Sequence, residues 1–297
     1  MSATARLIPA PAAGRRRLAD FVTLTKPEIT FNVVITALVG FLAAAHGAVN
    51  LQLLAHTLLG TALVAGGAST LNQWAERDLD AVMRRTVRRP LPAGRLTPRQ
   101  GLAFGLGLVA GGAAYLALAA GALTSALAAA TAAGYLLVYT PLKRVTSLAT
   151  VVGAVPGAIP PMIGWSAARG RLDAGAWVLF LILFFWQMPH FLALAALYRR
   201  DYARAGFRVL PVVDPGGAST ARQSVLYALA LLVVSLMPTL VGMAGPLYFF
   251  GALGLGLGFL VAGTRFALRP ESHARASGLF RYSLLYLPAL CLLMALG

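Results

Sequence analysis

Long apolar runs recur along the whole chain and constrain its fold more than any other feature. A helix needs about 20 apolar residues to cross roughly 30 Å of hydrocarbon. The chain is 59% hydrophobic and only 11% charged, which departs from the composition of a soluble domain. We therefore predict an all-α fold, a polytopic transmembrane bundle of about nine helices. The nine runs are 29–46, 53–73, 100–120, 122–140, 147–166, 174–197, 223–243, 246–266 and 278–296.

The basic residues indicate how this bundle is oriented. If the N-terminus is cytoplasmic, every Lys and Arg except Arg169 and Arg171 falls in the N-terminal tail or in a cytoplasmic connection with its flanks. This asymmetry is the positive-inside rule, and it accounts for the formal net charge of +16 without nucleic acid as a partner. We predict a basic, disordered cytoplasmic tail (1–24) and a single transmembrane domain (25–297). Richness in Ala, Arg and Gly favours a bacterial cell (inner) membrane, with the mitochondrial inner membrane as the alternative.

An acidic cluster follows the second apolar run, in the segment NQWAERDLDAVMRRTVRRP at 72–90. Asn72, Glu76 and Asp80 are spaced four residues apart, which places them on one face of a helix. Asp78 falls on the opposite side but can bend inward at a helix end. Acidic groups at the edge of hydrocarbon are costly and usually mark a site. Oxygen ligands without Cys or His nearby suit a hard cation such as Mg²⁺, which typically binds substrate phosphates.

Four arginines follow this cluster, and guanidinium groups can clamp phosphate oxygens. The alternative is that Glu and Arg merely pair with each other at the membrane surface. That alternative explains the charges but neither Asn72 nor the regular spacing. The four arginines are Arg84, Arg85, Arg88 and Arg89.

Two further polar clusters follow the fourth and the sixth runs. Because all three connections are cytoplasmic, we expect them to converge over one mouth of the bundle. The chemistry implied is a Mg²⁺–diphosphate site that opens into an apolar interior, as a lipid-tailed diphosphate needs. The added residues are Tyr139, Lys143 and Arg144 after the fourth run, and Arg199, Arg200, Asp201, Tyr202 and Arg204 after the sixth.

Several segments resemble motifs of the UbiA-type intramembrane prenyltransferases, and of their haem o synthase (protohaem IX farnesyltransferase) branch in particular. Glu76 stands at the middle acidic position of the family's NxxxDxxxD motif. Many members carry two aspartates in a second motif, whereas Asp201 stands alone beside Arg200. The segments are LTKPEIT (24–30), RDLDAVMRRT with RRPLPAGR (77–95), YTPLKRVTS (139–147), VVGAVPGAIPPMIGWSA (151–167), WQMPHF (186–191) and DYARAG (201–206).

The resemblance implies that the farnesyl group of farnesyl diphosphate is joined to a vinyl group of haem b, with addition of water, to give haem o for terminal oxidase biogenesis. Haem b is then a substrate, Mg²⁺ is bound with the diphosphate, and the further partners are membrane lipid and a downstream haem-modifying enzyme or oxidase assembly factor. The implied catalytic residues are Asn72, Glu76, Asp80, Lys143 and Asp201. The implied metal ligands are Asn72, Glu76, Asp78, Asp80 and Asp201. The implied substrate-binding residues are Arg84, Arg85, Arg88, Arg89, Tyr139, Arg144, His190, Arg200 and Tyr202.

Two further expectations concern His190 and the prolines at 160–161. His190 is either a hydrogen-bonded structural residue or a haem contact, since an ionisable group inside a span often serves function and imidazole is a common haem ligand. On one continuous span it would lie about 16 Å deeper than Asp201 by helical rise. Pro160 and Pro161 are expected to kink the fifth span.

The sequence is also compatible with two other functions. A related enzyme could prenylate an aromatic quinone precursor instead of haem. A transporter would also need nine spans and buried polar groups, but transporters place such groups in broken helices at the membrane midplane. Here the polar residues cluster at one surface.

Overall fold

A computed structural model of the protein describes residues 13–45 and 49–296, and within those ranges it is helical without any strand. The prediction of about nine spans is confirmed, because nine helical segments of the described residues are long and apolar enough to cross a membrane. The helices are α1 (Ala13–Leu24), α2 (Pro27–Ala44), α3 (Leu51–Ala75), α4 (Arg77–Asp80), α5 (Pro98–Ala119), α6 (Ala122–Ala133), a π-helix (Gly134–Tyr139), α7 (Thr140–Leu142), α8 (Ala149–Ala158), α9 (Pro160–Arg169), α10 (Ala174–Leu197), α11 (Arg199–Arg204), α12 (Leu210–Val213), α13 (Ala218–Leu240), α14 (Pro246–Ala267) and α15 (His273–Leu296).

The seventh and ninth spans begin more than a helical turn earlier than their hydropathy predicts. The seventh starts at Ala218 and the ninth at His273, because their first turns are polar and hydropathy does not register them. The side chain of Asp214 stabilises the start of α13, since its Oδ2 accepts hydrogen bonds from the backbone N–H and the hydroxyl of Thr220 at 2.7 and 2.9 Å.

Residues 13–24, predicted as part of a disordered tail, instead form α1. The helix is held to the bundle by apolar and polar contacts. Leu24 is fully buried against Leu91 and Leu96, and its carbonyl accepts a 2.7 Å hydrogen bond from Gln73 Nε2. The sequence analysis gave weight to the charged residues of this segment and so missed the apolar face that packs against the bundle.

The fifth span breaks at Ile159, between α8 and α9, where Pro160 and Pro161 cannot continue the backbone hydrogen bonding of α8. The interruption falls at the position where the kink was expected. The break lets α9 lie directly against α2. A methyl group on Gly164 would overlap the carbonyl of Ala37, and one on Gly40 would overlap the carbonyl of Pro161, so this contact requires glycine on both helices.

The short helices α4, α7, α11 and α12 all lie in the connections that follow the second, fourth and sixth spans. These connections contact one another, as the sequence predicts. The backbone N–H of Arg208 donates to the Lys143 carbonyl at 2.8 Å. The Arg85 guanidinium lies 5.5 Å from the centre of the Tyr198 ring. Together they cover one end of the bundle, the predicted cytoplasmic end.

Candidate active site

Asn72, Glu76 and Asp80 line one buried face at the junction of α3 and α4. Their exposed fractions are only 2%, 7% and 1%. The backbone hydrogen bonds from Glu76 N to Asn72 O (2.9 Å) and from Asp80 N to Glu76 O (2.8 Å) carry the helical repeat across the junction. The Asn72 amide also donates to Glu76 Oε2 at 3.0 Å. The fourfold spacing thus brings the three side chains to the same side.

Each of these three side chains contacts a cation from a different part of the chain. The Lys26 ammonium donates to Asn72 Oδ1 at 2.9 Å, and the Lys143 ammonium to Glu76 Oε1 at 2.7 Å. The Arg89 guanidinium donates to Asp80 Oδ2 at 2.7 Å. Buried carboxylates need such partners because an unpaired buried charge is costly. We call these six residues the polar cluster: Lys26, Asn72, Glu76, Asp80, Arg89 and Lys143.

Lys26 is a member that the sequence analysis missed, because it was counted with the tail cations. It joins α1 to α2 with a φ of 48°, the one positive φ outside glycine among the described residues. Such a conformation costs of the order of 1–3 kcal/mol and is most common at functional sites. Burial, together with the nearby Arg89 and Lys143 cations, lowers the pKa of the Lys26 ammonium to about 7. The signal that could have found it was the LTKPEIT motif.

A π-helix brings the fourth span into the site. Gly134–Tyr139 forms this wider turn, a feature often found at functional sites. The hydroxyl of Thr140 donates to the Tyr135 carbonyl at 2.8 Å and lies 3.2 Å from the Asn72 amide nitrogen. The Lys143 ammonium lies 4.6 Å from the centre of the Tyr139 ring. Tyr139 and Lys143 were predicted, whereas Tyr135 and Thr140 were not.

Other predicted site residues lie outside the polar cluster. The side chain of Asp78 is 83% exposed and pairs with Arg77 at 3.6 Å. Asp201 pairs with Arg204 and lines a separate cavity. Arg85 lies over Tyr198, and Tyr202 packs against Phe207 with ring centres 5.9 Å apart. The remaining predicted arginines have exposed side chains, and they are Arg84, Arg88, Arg144 and Arg200.

His190 faces α15. Its Nδ1 lies 2.7 Å from the Ser283 hydroxyl, and its ring stacks on Trp186 with centres 4.9 Å apart. The expectation that His190 and Asp201 share one continuous span is wrong, because α10 ends at Leu197 and Asp201 lies on α11. The depth of about 16 Å, which assumed a straight helix, therefore does not apply.

The oxygen atoms of the polar cluster suit Mg²⁺ when a phosphate group completes the coordination of the ion. Within residues 13–45 and 49–296, no group of three or more His, Cys, Asp or Glu side chains is arranged to hold a metal ion. Two carboxylates and one amide oxygen do meet here, however, and Mg²⁺ commonly uses one or two carboxylates and completes its shell with water and substrate phosphate. The residues therefore fit a Mg²⁺ ion that arrives together with a phosphate group.

Comparison with known proteins places the chain in a family. Residues 33–285 match the model of the UbiA prenyltransferase family, and the chain belongs to that family. It is 49% identical to a protein named protoheme IX farnesyltransferase from Solibacter usitatus, over 93% of this chain and 98% of that one. It is 44% identical to another of the same name from Koribacter versatilis, over 100% and 99% of the two chains.

Solved structures confirm the fold at low sequence identity. A digeranylgeranylglyceryl phosphate synthase superposes with a TM-score of 0.81 at 14% identity, over 95% of this chain and 98% of that one. A UbiA homologue from Archaeoglobus fulgidus, bound to DMAPP and Mg²⁺, superposes with a TM-score of 0.67 at 15% identity, over 94% and 100% of the two chains. The fold of this chain is therefore that of the UbiA prenyltransferases.

Proposed function

We propose that the protein is a Mg²⁺-dependent prenyltransferase that joins the farnesyl group of farnesyl diphosphate to a vinyl group of haem b and adds water, giving haem o. The observation that carries this proposal is the polar cluster. Three buried oxygen-bearing side chains and three cations from separate segments meet at one end of an apolar bundle. The names of the relatives at 44–49% identity support haem b as the acceptor.

The polar cluster accounts for departure of the diphosphate. Asn72, Glu76 and Asp80 would hold Mg²⁺, which when bound supplies positive charge to the diphosphate oxygens. Lys26, Arg89 and Lys143 now donate to side chains of the cluster. When substrate binds, these donors would exchange those partners for phosphate oxygens and stabilise the negative charge that develops on the leaving group.

The transfer itself requires a site without water. The bond between the farnesyl C1 and the diphosphate oxygen breaks, and the terminal vinyl carbon bonds to C1. The positive charge left on the inner vinyl carbon then takes up the hydroxide part of water, and a proton is released. The rings of Tyr135 and Tyr139, whose centres lie 5.5 Å apart, would stabilise the allylic cation through their π faces. The apolar bundle excludes water until the carbon–carbon bond has formed.

We place the protein in the bacterial inner membrane with its N-terminus in the cytoplasm. The distribution of Lys and Arg supports this orientation. It puts the polar cluster on the side where soluble farnesyl diphosphate is made available. Haem o, the product, then passes within the membrane to a haem-modifying enzyme or to oxidase assembly.

Two measurements test the function. Expression in cells that lack haem o should produce a haem species whose mass corresponds to haem b plus one farnesyl group and one hydroxyl group. Membranes given farnesyl diphosphate, Mg²⁺ and either haem b or a hydroxybenzoate should prenylate the haem alone. Prenylation of the hydroxybenzoate in place of haem would overturn the proposal in favour of a quinone-precursor enzyme.

A further inference from the structure

A second cavity lies beside the polar cluster, at the same end of the bundle. Its volume is about 580 Å³, within the roughly 300–1,000 Å³ typical of small-molecule sites. It forms where the ends of α10, α13 and α15 meet the short helix α11, and the connection after the second span contributes Arg84. We call it the arginine cavity, after its lining residues Arg84, Arg199, Arg200 and Arg204.

Most of the positive charge in this cavity has no partner. Across the ranges that the structure describes, the guanidinium groups of Arg84, Arg199 and Arg200 donate to no side chain or carbonyl. Two of the three acidic residues that line the cavity already have partners in the protein. Asp201 forms an ion pair with Arg204, and Asp214 accepts hydrogen bonds from Thr220. The lining still carries a net positive charge, because four arginines face the three carboxylates of Asp201, Asp214 and Glu271. A guanidinium recognises a carboxylate with two parallel hydrogen bonds, so the cavity suits an anionic ligand with more than one such group.

The arginine cavity lies at the end of the two helices that carry His190 and Ser283. Leu197 of α10 and Ala276 of α15 line it. Seven residues from each of them along its helix, and therefore about 10 Å deeper on nearly the same face, lie His190 and Ser283. These two residues contact each other at 2.7 Å. Below the cationic rim of the cavity, the apolar seam between α10 and α15 thus holds an imidazole.

The packed rings of Tyr202 and Phe207 connect the arginine cavity to the polar cluster. Asp201 lines the cavity, and its neighbour Tyr202 packs on Phe207 with ring centres 5.9 Å apart. On the other side, the Lys143 ammonium of the polar cluster lies 5.6 Å from the centre of the Phe207 ring. A ligand held in the cavity is therefore adjacent to the site assigned to the diphosphate.

We propose that the arginine cavity binds the propionate carboxylates of haem b and so positions the acceptor beside the diphosphate site. This inference rests on the proposed function. The polar cluster cannot serve the same purpose, because its three cations are assigned to the diphosphate. Haem b is an apolar ring with two carboxylates at one edge, which matches a cationic rim above an apolar seam.

The test compares two probes on the purified full-length protein in detergent, without farnesyl diphosphate. Haem b and its dimethyl ester, in which both propionates are neutral, are titrated by absorbance. The double variant Arg199→Gln/Arg200→Gln should bind haem b at least about tenfold more weakly, the loss expected for charge-assisted hydrogen bonds. Its affinity for the ester should match that of the unaltered protein. Arg222→Gln, which changes an exposed arginine of α13 outside the cavity, should bind both probes normally.

Three results would overturn the inference. The double variant could bind haem b as well as the unaltered protein does, or the unaltered protein could bind haem b and the ester equally. The double variant could also bind haem b normally in nanodiscs yet lose a preference for anionic over neutral lipid, which would make the cavity a lipid headgroup site. Failure of the proposed function would appear separately, as the absence of farnesylated haem from the unaltered protein.

Discussion

The Lys143 ammonium lies 2.7 Å from Glu76 Oε1, and this contact joins the connection after the fourth span to the connection after the second. Both side chains are largely buried, with 13% and 8% of their surfaces exposed. The pair is therefore a structural link as well as a part of the candidate site, and its two roles can be separated by experiment.

Lys143→Met should destabilise the protein by about 3–5 kcal/mol, because it leaves the Glu76 carboxylate buried without its cation. The double variant Lys143→Met/Glu76→Gln should recover most of that stability and still be inactive. Thermal unfolding of the two single variants and the double variant measures the coupling. Strictly additive losses of stability would show that the two side chains do not interact.

Asp80→Asn should lower turnover by at least about 100-fold, since the lost charge no longer helps to neutralise the diphosphate. Asp78→Asn should cost much less, because the Asp78 side chain is exposed and pairs with Arg77. Activity should vanish with EDTA and return with Mg²⁺. Equal losses in the two variants would place Asp78 in the site as the sequence motif implies, and metal-independent turnover would contradict the assigned chemistry.

Lys26→Gln should weaken binding of farnesyl diphosphate by at least about tenfold, because it removes one charged hydrogen-bond donor from the polar cluster. Its affinity for haem b should be unchanged. The comparison variant is Arg17→Gln, which alters an exposed cation of α1 outside the cluster. Equal affinities for farnesyl diphosphate in both variants would restrict Lys26 to a structural role.

His190→Ala and Ser283→Ala separate the two interpretations of His190. If His190 contacts haem, His190→Ala should weaken haem binding while Ser283→Ala, which keeps the imidazole, should not. If the histidine is structural, both variants lose the same 2.7 Å contact. Both should then lower stability by about 1–3 kcal/mol and impair both substrates alike. Affinities for haem b and farnesyl diphosphate, with the melting temperature, distinguish the two cases.

Cysteine labelling checks the orientation of the bundle. In a Cys291→Ala background, Ala93→Cys should react only with reagents on the cytoplasmic face, and Arg171→Cys only from outside. Both positions are exposed, and neither caps a helix or has a positive φ. The opposite labelling pattern would invert the bundle and place the polar cluster outside.

The spans were predictable because hydropathy and the distribution of Lys and Arg depend directly on which segments lie in the membrane. The shared face of Asn72, Glu76 and Asp80 was predictable as well, since it depends only on the helical repeat. That repeat also placed Asp78 on the opposite side, and it was kept among the proposed ligands because a side chain at a helix end can bend inward. The Asp201–Arg204 pair is local, three residues apart, and was foreseeable on the same grounds.

Contacts between distant segments were not predictable. Lys26 reaches Asn72 only because a left-handed residue turns α1 into α2, and no periodicity reveals such a turn. Thr140 approaches Asn72 only after a π-helix has altered the register of the fourth span. The first turn of α15 lines the arginine cavity. Because that turn is polar, hydropathy does not predict that the helix begins there.

The π-helix at Gly134–Tyr139 also has a consequence for how such a site can arise or be lost. A π-turn accommodates one more residue than an α-helical turn. Deleting a single codon there, for example that of the lipid-facing Leu137, which is 76% exposed, would let the segment close into a regular α-helix. The helix beyond it would keep its orientation, because the π-turn gives up the one residue that it holds in excess of an α-turn. The side chains within the turn, those of Tyr135 and Tyr139 among them, would take new positions at the polar cluster. One in-frame deletion would therefore alter the site while improving backbone hydrogen bonding, a loss that measurements of folding alone would record as a gain.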